Sequence, residues 1–247
     1  LFDSLIDAAH VHGKRRKIAE DIQRKPISYN RLIMGSFILG RRIAAHAPGQ
    51  KTVGVLLPNA LGAVLTFFGL HAMGRIPAML NYSTGAVNMS LACTTAEVST
   101  IVTSRRFIEL GELQETLALL DKTNRIVFLE DVRDGLKLSD KLFGLWAKMF
   151  PHWALRHSGA TTDFNAPAAI LFTSGSEGVP KGVALSHRNF QANRLQATTR
   201  VDVSEQDVMF NCLPMFHAFG LLGGTLLPLL SGIYTFFYPS PLHYKIV

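Results

Sequence analysis

Residues 172–182 read Phe172-Thr173-Ser174-Gly175-Ser176-Glu177-Gly178-Val179-Pro180-Lys181-Gly182. Three glycines let the backbone turn several N–H groups toward one point, and three hydroxyls add further donors. Lys181 supplies a mobile positive charge. A loop of this kind can cradle a polyphosphate. It is not a Walker A loop, which needs Gly-Lys followed by Ser or Thr, because Lys181 stands between Pro180 and Gly182. The glycine spacing also fails the dinucleotide fingerprint. The alternative is an ordinary surface loop of small residues, but such loops seldom combine so many donors with a lysine directly after a strand.

The elements around the loop can be read from the apolar pattern. Ala168-Ala169-Ile170-Leu171 has buried-strand character, and Ser186 is a good N-cap for the helix-compatible residues 186–199. Strand-like runs recur at 53–57, 76–80, 100–103, 126–129, 169–172, 209–213 and 233–237. Helix-length segments lie between most of them, at 28–46 with Ser28 as cap, 59–73, 86–95, 104–120, 139–150, 186–199 and 217–230. This alternation predicts an α/β fold of mostly parallel sheets flanked by helices. Residues 131–140 read as a surface loop, and 156–167 as a connection into the strand before the glycine-rich loop.

Size and composition set the outer limits. A chain of 247 residues with 48% hydrophobic content can bury a sizeable core and is no disordered segment. Its +7 net charge is scattered, with one quartet at Lys14-Arg15-Arg16-Lys17 and no interleaved aromatics, so nucleic acid is not an expected partner. A basic surface suits an acidic protein or anionic lipid, and equally a plain solvated face. Cys93 and Cys212 form no disulfide framework and no metal spacing; both read as small buried apolar groups. No metal-ligand set is expected from the sequence. Residues 53–74 and 212–244 lack Asp, Glu, Lys and Arg and are long enough to span a bilayer. Pro58-Asn59 breaks the first, and Pro214, Gly223-Gly224, Pro228 and Ser231-Gly232 break the second. A buried strand joined to a buried helix fits each better. Residues 141–153 carry both tryptophans beside cations, which suits either a membrane interface or a helix packed on the core.

The 172–182 stretch resembles the phosphate loop of the adenylate-forming (AMP-binding) superfamily, Thr-Ser-Gly-Ser/Thr-Thr-Gly-x-Pro-Lys-Gly, except that Glu177 replaces a threonine. Leu213-Pro214-Met215-Phe216-His217-Ala218-Phe219-Gly220 is similar to the family's Pro-x-Phe-His-x-x-Gly segment. Residues 172–189, 75–82 and 238–244 resemble more narrowly the synthetase part of the bacterial bifunctional acyl-ACP synthetase / 2-acylglycerophosphoethanolamine acyltransferase group. In that group glutamate at the loop position is usual, so Glu177→Thr is expected to leave ATP use largely unchanged; a large loss of activity would show that the carboxylate is needed.

The resemblance implies a two-step activation of a fatty acid. ATP and Mg2+ serve the adenylation, and the acyl group then passes to a thiol of acyl carrier protein or, as the alternative, coenzyme A. A non-catalytic acyl or nucleotide-binding module is the reading from another class. The implied nucleotide-binding residues are Thr173, Ser174, Gly175, Ser176, Glu177, Gly178, Pro180, Lys181 and Gly182. Lys181 is placed on the β- and γ-phosphates, with His217 bordering the acyl pocket as the second catalytic candidate. Residues 1–160 would form the first α/β lobe, and 161–247 the phosphate-loop and acyl-pocket segment of the same large domain. The family's aromatic-Gly-x-Thr-Glu segment, ribose-binding aspartate and C-terminal lysine have no counterpart here, so the chain is expected to be part of a longer protein and not to adenylate a fatty acid by itself. The expected place is the cytoplasmic side of the bacterial inner membrane, in phospholipid acyl turnover.

Overall fold

A computed structural model describes residues 1–173 and 179–240. In chain order these form α1 (Phe2–His12), β1 (Lys17–Asp21), β2 (Ile27–Ser28), α2 (Tyr29–His46), β3 (Thr52–Val55), α3 (Leu61–Ala72), β4 (Ile76–Met79), α4 (Ala86–Thr95) and β5 (Thr100–Thr103). There follow α5 (Arg105–Leu110), α6 (Gln114–Leu120), β6 (Arg125–Phe128), α7 (Leu129–Asp134), α8 (Leu138–Met149), α9 (Pro151–His157), β7 (Pro167–Thr173), β8 (Lys181–Ser186) and α10 (His187–Thr198). The described chain closes with β9 (Val208–Asn211), α11 (Ala218–Leu221), a π-helical turn (Leu222–Leu226), α12 (Leu227–Leu230) and β10 (Tyr234–Phe237).

Two sheets carry the fold. One runs β6-β5-β3-β4-β7-β8 and the other β2-β1-β10-β9. All neighbours are parallel except the pairs β7–β8 and β1–β2. The predicted mostly parallel α/β architecture is therefore the observed one. Strand β5, Thr-Ile-Val-Thr, is buried along its whole length, as a central parallel strand covered on both faces must be.

Helix α3 explains how the sheets are joined. Ten of its 12 residues are buried, and it packs on β3 and β4 of one sheet and β1 of the other. A helix apolar on every side is stable only when enclosed in this way. Its neighbour α2 crosses it backbone to backbone: a Cβ added to Gly40 would lie 2.1 Å from the Gly69 carbonyl oxygen. Phe2, Phe37, Phe67 and Phe68 fill the surrounding core in edge-to-face pairs with centroids 4.8–6.2 Å apart. His71, buried at the end of α3, donates from Nε2 to the Ala168 carbonyl at 2.7 Å.

Several sequence expectations need correction. Residues 131–140 are not a loop: α7 and the start of α8 occupy most of them. The Glu130 carboxylate accepts from the Ser104 hydroxyl at 2.7 Å, which ties this short helix to the strand end beside it. The helix expected over 104–120 is two helices, because Glu112 adopts a left-handed φ of 52° after Gly111. Lys181 and Gly182 belong to a strand, β8, and not to the loop. The helix over 217–230 contains the π-helical turn. Residues 1–160 and 161–247, expected as two segments of one large domain, both contribute strands to each sheet. Among the described residues no helix is long and apolar enough to cross a membrane.

Candidate active site

The hairpin of β7 and β8 brings the loop's ends together. Ala168, Ala169 and Leu171 bury one strand in the sheet, and β8 returns along its edge with Thr173 opposite Lys181 and Phe172 opposite Gly182. Directly opposed residues of an antiparallel pair project from the same face. The Thr173 hydroxyl and the Lys181 ammonium therefore share a face at the mouth of residues 174–180. Both side chains lie on exposed residues. Pro180 enters β8 next to them. Ser174, Gly175, Ser176, Glu177 and Gly178 lie outside the described residues.

His217 is positioned by a different construction. It is the N-cap residue of α11, and its backbone N–H donates to Pro214 O at 3.1 Å. Its ring is exposed beside Phe216, with centroids 4.5 Å apart. The tight turn from Pro214 to Gly220 requires glycine at its end: a Cβ on Gly220 would meet the Pro214 carbonyl oxygen at 2.3 Å. Beneath it, buried Asn211 accepts from the Leu213 N–H at 3.1 Å and donates to Thr225 Oγ1 at 3.2 Å. Thr225 in turn donates to Gly220 O at 2.9 Å. The π-helical turn places Thr225 for this contact, and π turns of this kind recur at functional sites.

Tyr82 links the two constructions. It follows β4, whose parallel neighbour β7 leads into the loop. Its ring meets Phe216 edge-on at 4.8 Å and Phe107 at 5.1 Å. Burial pushes its phenol up to about 12, so it stays protonated at neutral pH. Thr173 at the end of β7 and Lys181 at the start of the antiparallel β8 lie where the parallel strands of the six-stranded sheet terminate, the end at which open α/β sheets bind ligands. His217 follows β9 of the other sheet, next to Phe216, which Tyr82 touches.

A crevice of about 710 Å3 opens at the same end, lined by residues that include Leu57, Ala60, Tyr82, Arg106, Phe107 and Tyr238. The size suits a small-molecule site. The lining is mostly apolar, and Arg106 brings a guanidinium. Thr173, Lys181 and His217 are not among the described lining residues; Tyr82 is the connection between crevice and His217. Two polar side chains hold its rim. Asp21, at the end of β1, accepts from the Leu61 N–H at 3.1 Å and so caps α3, whose own N-cap residue Ala60 offers no side-chain acceptor. Asn59 donates from Nδ2 to the carbonyls of Asn211 at 2.6 Å and Tyr238 at 3.1 Å, joining the end of β3 to the ends of β9 and β10. Sequence reasoning missed Asp21, Asn59, Asn211 and Tyr82 as site-shaping residues. Pro58-Asn59, a polar break inside an apolar run, and the family resemblance of residues 75–82, which end in Tyr82, carried signals for two of them.

Cys93 is buried, and its thiol is pushed up to about 12 by that burial, in keeping with an inert packing role. No group of three or more His, Cys, Asp or Glu is placed to hold a metal among the described residues.

Residues 7–246 match the family model described as AMP-binding enzyme, and the chain belongs to that family. It is 44% identical over 72 residues to the medium-chain fatty-acid–CoA ligase of Escherichia coli (strain K12), a match covering 29% of this chain and 13% of the relative. Over 212 residues it is 27% identical to the sulfoacetate–CoA ligase of Cupriavidus necator, covering 83% of this chain and 38% of that enzyme. The chain spans less than half the length of these curated relatives. The solved o-succinylbenzoate coenzyme A synthetase of Bacillus subtilis, in complex with AMP, superposes with a TM-score of 0.78 at 16% identity, covering 98% of this chain and 57% of that one. The same enzyme in complex with ATP and magnesium ion gives a TM-score of 0.76. These structures share the fold of the chain.

Proposed function

We propose that the chain is the nucleotide-gripping part of an ATP-dependent fatty-acid ligase. In this reading a carboxylate oxygen of the fatty acid attacks the α-phosphorus of ATP, and the bond to the leaving pyrophosphate breaks. A thiol sulfur then attacks the acyl carbon and AMP departs with the bonding electron pair. The acceptor thiol is that of acyl carrier protein, as the resemblance of residues 172–189, 75–82 and 238–244 implies; coenzyme A is the alternative, favoured by the names of the curated relatives.

The observation that carries the proposal is the β7–β8 register, which sets Thr173 opposite Lys181 on one face. Lys181 holds the β- and γ-phosphates and balances charge as pyrophosphate leaves, while Thr173 donates a hydrogen bond beside it. The amides and hydroxyls of residues 174–178 complete the grip, with Pro180 and Gly182 shaping its exit. His217, set by the turn closed at Gly220, borders the reacting carboxylate. A magnesium ion held with the nucleotide beside Thr173 and Lys181 would add positive charge to the same cluster as pyrophosphate leaves. Residues 1–160 and 161–247 act as one unit in this scheme, because β4 and β7 are neighbours.

Calorimetry with MgATP tests the reading. Lys181→Ala should weaken MgATP binding about tenfold or more, the loss of one charge-assisted phosphate contact. Unchanged affinity would sink the assignment. In a longer protein that contains this chain, acyl transfer to holo acyl carrier protein compared with transfer to coenzyme A would then separate the two acceptors.

A further inference from the structure

Helix α8 is apolar on the side that faces away from the protein. Its inner face, with Asp140, Gly144 and Ala147 buried, packs on α2. Gly144 allows the close approach, since a Cβ there would lie 2.4 Å from Ile38 Cδ1. Leu138, Leu142, Leu145 and Met149 project the opposite way, with 47% to 72% of their surface exposed. At 3.6 residues per turn these four fall within an arc of about 60°. Phe150, the C-cap of α8, and Trp153 on α9 both meet Trp146 of α8 and are also more than half exposed. Core packing accounts for the inner face of this helix and leaves the outer one unexplained. Contiguous exposed apolar side chains of this extent mark an interaction surface.

The charges beside the stripe indicate its partner. Lys141 and Lys148 lie along one flank of α8, Lys137 stands at its N-cap, and exposed Arg156 lies on α9. Arg41 of α2 covers the Phe143 ring, 4.6 Å from its centroid. Several nearby carboxylates lie against cations or imidazoles, with Asp7 also 3.7 Å from His152. Asp140 is buried with Arg42 at 3.9 Å, Asp134 meets Arg133 at 3.1 Å, and Asp3 meets His152 at 2.9 Å. Trp153 stacks on His157 at 3.6 Å and meets Trp146 edge-on at 4.8 Å, so the aromatic end of the stripe is held in place. Leucines and aromatics on one face with lysines along the margin are the pattern of a helix lying in a bilayer interface.

We propose that the outer face of α8, continued by Phe150 and Trp153, docks on an anionic lipid bilayer. The helix lies flat, its leucines enter the acyl boundary, and Lys141 and Lys148 reach the headgroups. This surface is separate from the nucleotide site and does not depend on the reading of Lys181.

Flotation with vesicles of phosphatidylglycerol and phosphatidylcholine, against phosphatidylcholine alone, tests the proposal on the 247-residue chain. Binding should require the anionic lipid and should weaken when salt rises from about 0.1 M to about 1 M, which shortens the Debye length from about 10 Å to about 3 Å. Leu142→Glu with Leu145→Glu should reduce binding about tenfold or more. Lys141→Glu with Lys148→Glu changes only the flank, so it leaves packing on α2 intact and should reduce binding to the anionic vesicles alone. Emission from Trp146 and Trp153, the two tryptophans of the chain, should shift to the blue on binding. Equal binding by all three proteins, or no binding by the unaltered chain, would overturn the proposal. So would sedimentation velocity showing a dimer that the double leucine variant dissolves, since a second copy would then be what covers the stripe.

Discussion

Replacing Asn59 should loosen the joint between the two sheets by a calculable amount. Its amide donates to two carbonyls, those of Asn211 at 2.6 Å and Tyr238 at 3.1 Å, and the side chain is almost wholly buried. Asn211 O keeps a second partner, the Tyr238 N–H at 2.8 Å, and so is not stranded by the change. Two buried hydrogen bonds at about 1 kcal/mol each, with a small packing loss, put Asn59→Ala at about 2–3 kcal/mol. For a domain of this size that is a fall in Tm of about 4–12 °C. Asn59→Asp is the sharper probe because it keeps the shape and removes the donors. Its carboxyl would face two carbonyl oxygens, so its folded-state pKa would rise above the ordinary value of about 3.9. The folded state then binds more protons than the unfolded state, and stability must fall as pH rises from about 4, by about 1.4 kcal/mol per pH unit, until the folded pKa is passed. Urea unfolding at several pH values reads both effects. A loss below about 0.5 kcal/mol in Asn59→Ala, within the range of ordinary surface changes, or an Asn59→Asp variant as stable at pH 7 as at pH 4, would refute the role assigned to the amide.

Gly220→Ala and His217→Ala should separate support from chemistry. The first drives a Cβ into the Pro214 carbonyl and should lower the urea midpoint by the equivalent of about 1–3 kcal/mol. The second removes an exposed ring and should stay within about 0.5 kcal/mol of the parent, so the reverse order of stabilities would disprove the turn's description. A pH effect is expected from the buried imidazoles. Burial holds His71 well below its ordinary value and pushes His187 down to about 4. The unfolded chain binds the extra protons, so the contribution of these two imidazoles to stability should be full above about pH 6.5 and should decline as pH falls toward 4. Equal urea midpoints at pH 7 and pH 4.5 would contradict this.

Much of the six-stranded sheet was legible because its strands are short continuous apolar runs, the form that burial on both faces demands. β5 and α4 agree with their sequence-based limits to the residue. The strands that escaped are those whose stability comes from elsewhere. β1 reads Lys-Ile-Ala-Glu-Asp, with two carboxylates in its sequence. They are tolerated because Glu20 meets Arg24 at 2.9 Å and Asp21 caps α3. β8 begins Lys-Gly and is exposed over its first four residues. It forms through its ladder to β7, a partner that periodicity cannot reveal. The candidate site divides in the same way. Thr173, Lys181 and His217 stand in local motifs, whereas Asn59, Tyr82 and Asn211 matter through contacts that reach across the sequence, Asn59 to Tyr238 among them.

The smaller sheet sets a condition on synthesis. Its central pair joins Ala19 to Thr235, so β1 cannot find its place until synthesis has passed residue 235. At about 5–20 residues per second, a ribosome would leave this segment waiting for about 10–40 s, with Ile18 and Ala19, both fully buried at the end, in contact with water or a chaperone meanwhile. Loop closure over such a span favours late assembly. The strand end from which Asp21 caps α3 can then settle only once β10 has been made, and the crevice it borders can admit a ligand only after β10 has been laid beside β1.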